Sequence, residues 1–130
     1  MTIILICGGR NLDPEKVRLW LTMHFFNSFP LAHEIISGKA PGADTGAEIF
    51  AEQCGLKFTG VKADWENFPK TAGPIRNREM LKLGPHAVLA FPGGRGTNDM
   101  IAAATKKFVP VWKINGDFGN VIPQRNYRGL

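Results

Sequence analysis

The chain has 130 residues, 44% of them hydrophobic, which suits one globular domain with its own core and no need of a disulfide or metal staple. A formal charge of +5 and a pI near 9.5 raise nucleic acid as a partner, but much of the excess sits late in the chain: from Lys106 onward Lys106, Lys107, Lys113, Arg125 and Arg128 face a single acid, Asp117. No aromatic-interleaved basic stripe of the single-strand-binding kind occurs elsewhere, no apolar run nears the ~20 residues of a membrane span, and Met1-Thr2-Ile3-Ile4 lacks a basic signal-peptide start, so the expectation is a cytoplasmic protein with no membrane partner.

Ile3 to Cys7 is a short apolar run ending in Gly8-Gly9, and it reads as a strand buried on both faces. Asp13 as N-cap and Pro14 at the first helical position open a helix that Phe29-Pro30 ends, with Val17, Leu19, Trp20, Leu21, Met23, His24 and Phe25 as its apolar side. Glu34 to Gly38 is the second strand. After the turn Lys39-Ala40-Pro41-Gly42, a helix runs from about Ala43 to Gln53, stopped by Gly55. Lys57 to Val61 is a third strand, and the long connection from Ala63 to Gly73 is a candidate lid.

Pro74 begins a third helix that Gly84-Pro85 terminates. The fourth strand, Ala87 to Phe91, leads into Pro92-Gly93-Gly94-Arg95-Gly96-Thr97, and a fourth helix follows from Asn98 to Lys107. Val109 to Trp112 is the fifth strand. Residues 1–113 thus form the domain, and 114–130 an irregular basic tail. Strands alternating with helices imply right-handed crossovers and a Rossmann-like open, mainly parallel α/β sheet of about five strands sandwiched by helices.

In such a sheet every strand-to-helix loop leaves by the same edge, and ligands bind where the strand order reverses. Four glycine-bearing loops therefore converge: Gly8 to Asn11, Ser37 to Asp44, Asp64 to Gly73, and Pro92 to Thr97. In the last, Gly93, Gly94 and Gly96 permit close backbone approach, while the Thr97 hydroxyl and the helical N–H groups beside Arg95 suit a phosphate. Gly8-Gly9-Arg10 repeats the logic, with Arg10 able to reach across the crevice.

Gly8 to Asn11 does not match the dinucleotide fingerprint, and Gly38 to Asp44 is not closed by Gly-Lys-Ser/Thr as an ATPase loop would be, so no cofactor is expected. Asp44 at a helix start would repel a phosphate, so a ribose hydroxyl or an amine is its better partner. Arg76 and Arg78 point about 200° apart on their helix. Arg76, with Asn77, flanks the buried side and is the better ligand candidate, whereas Arg78 is left to solvent or a partner subunit. Cys7 and Cys54 read as reduced core thiols, and the scattered His24, His33 and His86 give no metal site. Trp65 and Phe68 serve equally well to stack on a base or to pin their loop.

Gly38 to Asp44, Ala63-Asp64-Trp65, Ala72 to Met80 and Phe91 to Met100, taken in order, resemble the YspA/YpsA-related branch of the SLOG superfamily. The resemblance runs from the first strand to Trp112. It implies a Rossmann-like sheet that binds nucleotides or nucleotide-derived signals, and a homo-oligomer. The related LOG phosphoribohydrolases carry Pro-Gly-Gly-x-Gly-Thr-x-x-Glu and an Arg-Lys-x-x-Met helix. By that resemblance the phosphate loop falls on Gly93, Gly94, Gly96 and Thr97 and the catalytic arginine on Arg76, but the catalytic glutamate falls on Met100, a thioether that cannot transfer protons.

The leading expectation is a sensor or sequestering module for a nucleotide-like ligand, held by Gly8, Gly9, Arg10, Gly38, Asp44, Arg76, Asn77 and Pro92 to Thr97. The alternative is a LOG-like hydrolase of the N-glycosidic bond of nucleoside monophosphates, using Arg76 with Asp44, Asp64 or Asp99 as the carboxylate. A DprA-like single-strand DNA module is the third, less favoured reading.

Overall fold

A computed structural model describes residues 2–115 and 124–128. Five strands run parallel: β1 (Thr2–Cys7), β2 (Ala32–Ser37), β3 (Lys57–Gly60), β4 (Ala87–Ala90) and β5 (Val111–Asn115). Four helices alternate with them: α1 (Pro14–Ser28), α2 (Ala43–Cys54), α3 (Ala72–Lys82) and α4 (Arg95–Lys106). A sixth strand, β6 (Gln124–Arg128), pairs antiparallel with β5, and the order across the sheet is β3-β2-β1-β4-β5-β6. The expected Rossmann-like open sheet is therefore what the chain forms.

The period of two along a strand sorts the core into two layers. From β1, Ile4 and Ile6 face α1 and α2, where Val17, Trp20, Leu21, Phe25 and Phe50 meet Ile35 and Leu89. Leu5 and Cys7 face the other way, toward α3 and α4, and pack with Ile36, Val88, Met80, Leu81 and Met100. Both faces of the central strands are covered, which is why β1 and β4 read as unbroken apolar runs.

Several boundaries and faces differ from the sequence reading. In α1 the buried stripe is Val17, Trp20, Leu21 and Phe25, while Leu19 and Met23 lie on the outer face, half exposed. That is the narrower stripe that 3.6-residue periodicity allows against one neighbouring layer. The cap at Asp13 forms as expected, its carboxylate accepting from Glu15 N–H at 2.9 Å. α3 begins at Ala72 rather than Pro74, and α4 begins at Arg95 rather than Asn98.

The fifth strand starts at Val111, two residues later than expected, because the chain first has to close α4. Phe108 takes φ 60°, its N–H bonds to Thr105 O at 3.0 Å, and Val109 N–H reaches back to Ala104 O at 2.9 Å, a left-handed C-terminal cap. The tail expected to be irregular from residue 114 instead supplies Ile114 and Asn115 to β5 and Gln124–Arg128 to β6. Pairing there satisfies the outer N–H and C=O groups of β5, which an edge would leave open. Residues 116–123, the rest of that tail's middle, lie outside the described residues. Cys54, expected in the core, is exposed at the end of α2, and only Cys7 is buried.

Candidate functional site

The strand order reverses between β1 and β4, so the loops after these two strands lie side by side. They are tied directly: Gly9 N–H donates to Pro92 O at 2.9 Å, and Ala43 N–H donates to Gly9 O at 3.1 Å. Gly42, at φ 77°, lies so close beneath this contact that a Cβ would overlap the Gly9 carbonyl oxygen. Gly8 is wedged between Ala43 and Phe91, each 2.7 Å from where its Cβ would stand. Of the predicted ligand residues, Gly8 and Gly9 thus hold loops together, with the Gly9 amide spent on Pro92.

The turn after β4 is different in kind. Gly93 through Gly96 are exposed, and Cβ atoms built on Gly94 and Gly96 would meet nothing within 4 Å. Gly94 is the N-cap of α4, and among the described residues no side chain caps it. The first N–H groups of a helix have no partner within it, and among the described residues no backbone carbonyl accepts from Gly94, Arg95, Gly96 or Thr97. Gly93 is pressed against its surroundings: a Cβ there would overlap Thr97 Oγ1 and lie 2.8 Å from Gly9 N. Thr97 is buried beneath the turn. A row of open amides at the positive end of a helix dipole results.

Arg76 stands on the α3 side of this turn. Its Nη1 donates to Gly38 O at 2.6 Å and its Nε to Asn77 Oδ1 at 3.2 Å. Burial, and the nearby charge of Arg10, lower its pKa, while Asp44 opposes them. Arg10 is exposed in the first loop. Asn77 is buried, and its Nδ2 donates to Gly96 O at 3.1 Å and to Asp99 Oδ2 at 3.0 Å. It thereby fixes α3 against the first turn of α4.

Asp44 is buried and faces inward. Its carboxylate accepts from Ser37 Oγ at 2.8 Å and from Ala40 N–H at 3.2 Å. Burial pushes its pKa up, with the Ser37 hydroxyl, the Ala40 and Gly38 backbone N–H groups and the Arg76 charge pulling the other way. Ser37 Oγ also lies 2.9 Å from Ile6 O. A hydroxyl has one proton to give, so Ser37 shares it between the Ile6 carbonyl and the Asp44 carboxylate. The buried Cys7 thiol nearby is pushed far above its ordinary pKa by burial and by Asp44, against the pull of Arg76, which keeps it from acting as a nucleophile.

The remaining candidates are committed to other work. Arg78 grips Asp99 through two bonds, at 2.8 and 3.2 Å, and that pair, aided by Asn77, holds Asp99 below the usual carboxylate range. Asp64 is exposed and binds Asn67, accepting from its N–H at 3.2 Å and its Nδ2 at 2.8 Å. Met100 is wholly buried in the core. Ser37 and Cys7 were not singled out as site residues from sequence, because apolar strands give no sign of which polar residue will meet a loop.

A hollow of about 230 Å³ opens on the β5 flank of the same turn between Pro92, Gly93, Thr97, Asn98, Lys113 and Asn115. It falls short of the ~300 Å³ at which small-molecule pockets ordinarily begin, and the guanidinium of Arg76 is on the other flank. Among the described residues no group of His, Cys, Asp and Glu is arranged to hold a metal, and no helix is long and apolar enough to cross a membrane.

The sheet order and the covered central strands define an open, Rossmann-like α/β protein. No family model matches the chain. Its sequence is 34% identical over 119 residues to the Gene 61 protein of Mycobacterium phage D29, covering 85% of this chain and 94% of that one. The chain belongs to the family of the Gene 61 protein.

Proposed function

We propose that this protein binds a nucleotide or nucleotide-derived small molecule, as a sensor or sequestering module of the SLOG type, with the ligand's phosphate on the Gly94 to Thr97 amides. The observation that carries this reading is the exposed first turn of α4, uncapped by any side chain among the described residues, at the switch point of the sheet with Arg76 and Arg10 beside it. Phosphate at a helix N-terminus draws on both the unpartnered amides and the dipole. Gly93 lets the turn sit tightly on Gly9, Asn77 holds the turn to α3, and Asp44 orders the Ser37 to Asp44 loop through Ser37 and Ala40. The site is cytoplasmic in this reading, and the protein works as a homo-oligomer.

The chemistry of the site favours holding the ligand over cleaving it. Glycosidic hydrolysis needs a carboxylate free to face the sugar. The LOG-like position is Met100, facing the core, and Asp99 is gripped by Arg78. Calorimetric titration with a panel of nucleoside monophosphates tests the proposal. Saturable binding is expected, weakened about 10- to 150-fold in Arg76→Met, the range of a lost charge-assisted hydrogen bond. Absence of binding by the wild-type protein to every member of the panel would defeat the proposal.

A further inference from the structure

We propose that Trp65 is the platform on which the base of the bound nucleotide stacks, so that the site selects an intact nucleotide over a bare phosphate or sugar phosphate. This rests on the phosphate reading above and adds to it the part of the ligand that the α4 turn does not touch. Trp20 is buried at 2% exposure, whereas Trp65 is 45% exposed. Leaving that much indole in water forfeits about 25 cal/mol for each Å² of apolar surface that burial would have hidden.

The exposed ring is held in place. Asp64 O accepts from Phe68 N–H at 2.9 Å, and the Asp64 carboxylate takes both Asn67 bonds, so residues 64–68 form a closed turn around Trp65. Phe68 O in turn accepts from Ala72 N–H at 2.9 Å, joining the turn to the start of α3. The benzo edge of the indole rests on Gly73, with Cη2 and Cζ2 at 3.4 and 3.7 Å from where a Cβ would stand. An anchored edge with an open face is the arrangement a stacking ligand needs, since little side-chain freedom remains to be lost on binding.

The position of Gly73 links that ring to the phosphate site. Gly73, Arg76 and Asn77 are spaced i, i+3 and i+4, so they share one stripe of α3. The indole crowns the N-terminal end of the stripe, Arg76 follows about one 5.4 Å turn along, and Asn77 touches Gly96 at the first turn of α4. A ligand with phosphate on the α4 amides and its sugar beside Arg76 brings its base to Trp65. Stacking on an aromatic face is open to every base, because each has a π-face. Purines, with the larger face, are expected to bind more tightly than pyrimidines.

The test compares AMP, adenosine, ribose 5-phosphate and inorganic phosphate on the wild-type protein, Trp65→Phe and Trp65→Ala. AMP is expected to quench indole fluorescence in the wild-type protein, and the quench should vanish in Trp65→Phe while affinity falls only a few-fold. Trp65→Ala should lose AMP affinity by about 5- to 150-fold, the span of one base–aromatic stack, with ribose 5-phosphate affinity unchanged. That last value also reports whether the variant has kept its fold. If AMP binds the wild-type protein no better than ribose 5-phosphate, or if Trp65→Ala weakens both equally, the stacking role is overturned and the phosphate site stands. If adenosine binds as well as AMP and is sensitive to Trp65→Ala, stacking holds and the phosphate reading fails. If nothing binds, both fall.

Discussion

Replacing Gly94 by aspartate separates binding from stability, because the two are expected to move in opposite directions. Gly94 caps α4 at φ −100° and ψ −135° without a side-chain hydrogen bond, and a Cβ at this position meets nothing within 4 Å. Aspartate therefore meets no other part of the fold, and its carboxylate complements the helix dipole and the free amides, a gain of a few tenths to about 1 kcal/mol. The melting temperature should hold or rise by up to about 4 °C. The same carboxylate occupies the amides offered to phosphate and repels the ligand. Two unit charges about 4 Å apart repel by about 1 kcal/mol in water and about 4 kcal/mol at the effective dielectric of a protein surface, which corresponds to a loss of about 5- to 1,000-fold in affinity. Gly94→Asn supplies a comparable side chain with no charge, so it should lose much less. Thermal melts together with AMP titrations at low and high salt give both quantities for each variant. A Gly94→Asp protein that melts at or above the wild-type temperature and binds AMP as the wild-type protein does would refute the assignment of the phosphate to these amides.

Four further predictions concern the titrating groups, the thiols and turnover. Because Asp44 has a raised pKa in the fold, the folded state keeps its proton to higher pH than the unfolded chain. Its contribution to stability is complete below the ordinary value of 3.8 and drains away as pH rises through the raised one. Asp44→Asn should flatten the melting temperature across that window, and a slope equal to that of the wild-type protein would count against the buried proton. Asp99 has the opposite sign: its pKa is lowered mainly by Arg78, with Asn77 adding to it, so its contribution is lost as pH falls through the lowered value, and Arg78→Met should reduce that acid-side loss in pH-dependent melts. Native alkylation followed by mass spectrometry should label Cys54 and spare Cys7, whose thiol is buried and kept protonated; rapid labelling of Cys7 would contradict the packing around it. Incubating concentrated protein with nucleoside monophosphates should release no free base above background, and chromatographic detection of base plus ribose 5-phosphate would replace the binding module by a hydrolase.

Local chemistry in the sequence was enough to specify the alternation of strands and helices, the cap at Asp13 and Pro14, and the placement of a glycine turn between the fourth strand and its helix. Each depends on neighbours within a few residues, through side-chain periodicity, a fixed proline φ or a short capping bond. The convergence of loops on one edge was legible too, since parallel strands leave no other exit. Even so, the helix reached back to take in Arg95, Gly96 and Thr97, and the buried face of α1 proved narrower than its apolar composition.

Only the tertiary structure decided which side chains meet. The bond from Arg76 to Gly38 spans 38 positions and that from Asn77 to Gly96 spans 19, so neither leaves a local pattern to read. Arg78 could be set apart from Arg76 by helical angle, yet its partner Asp99 lies on another helix. Asp44 reads in sequence as an acid at a helix start, and becomes a buried carboxyl whose pKa burial raises against the pull of its Ser37 and Ala40 hydrogen bonds. The pairing of β5 with β6 has the same origin: open backbone groups at a sheet edge take whatever strand the folded chain brings to them, and residue spacing alone does not identify that strand.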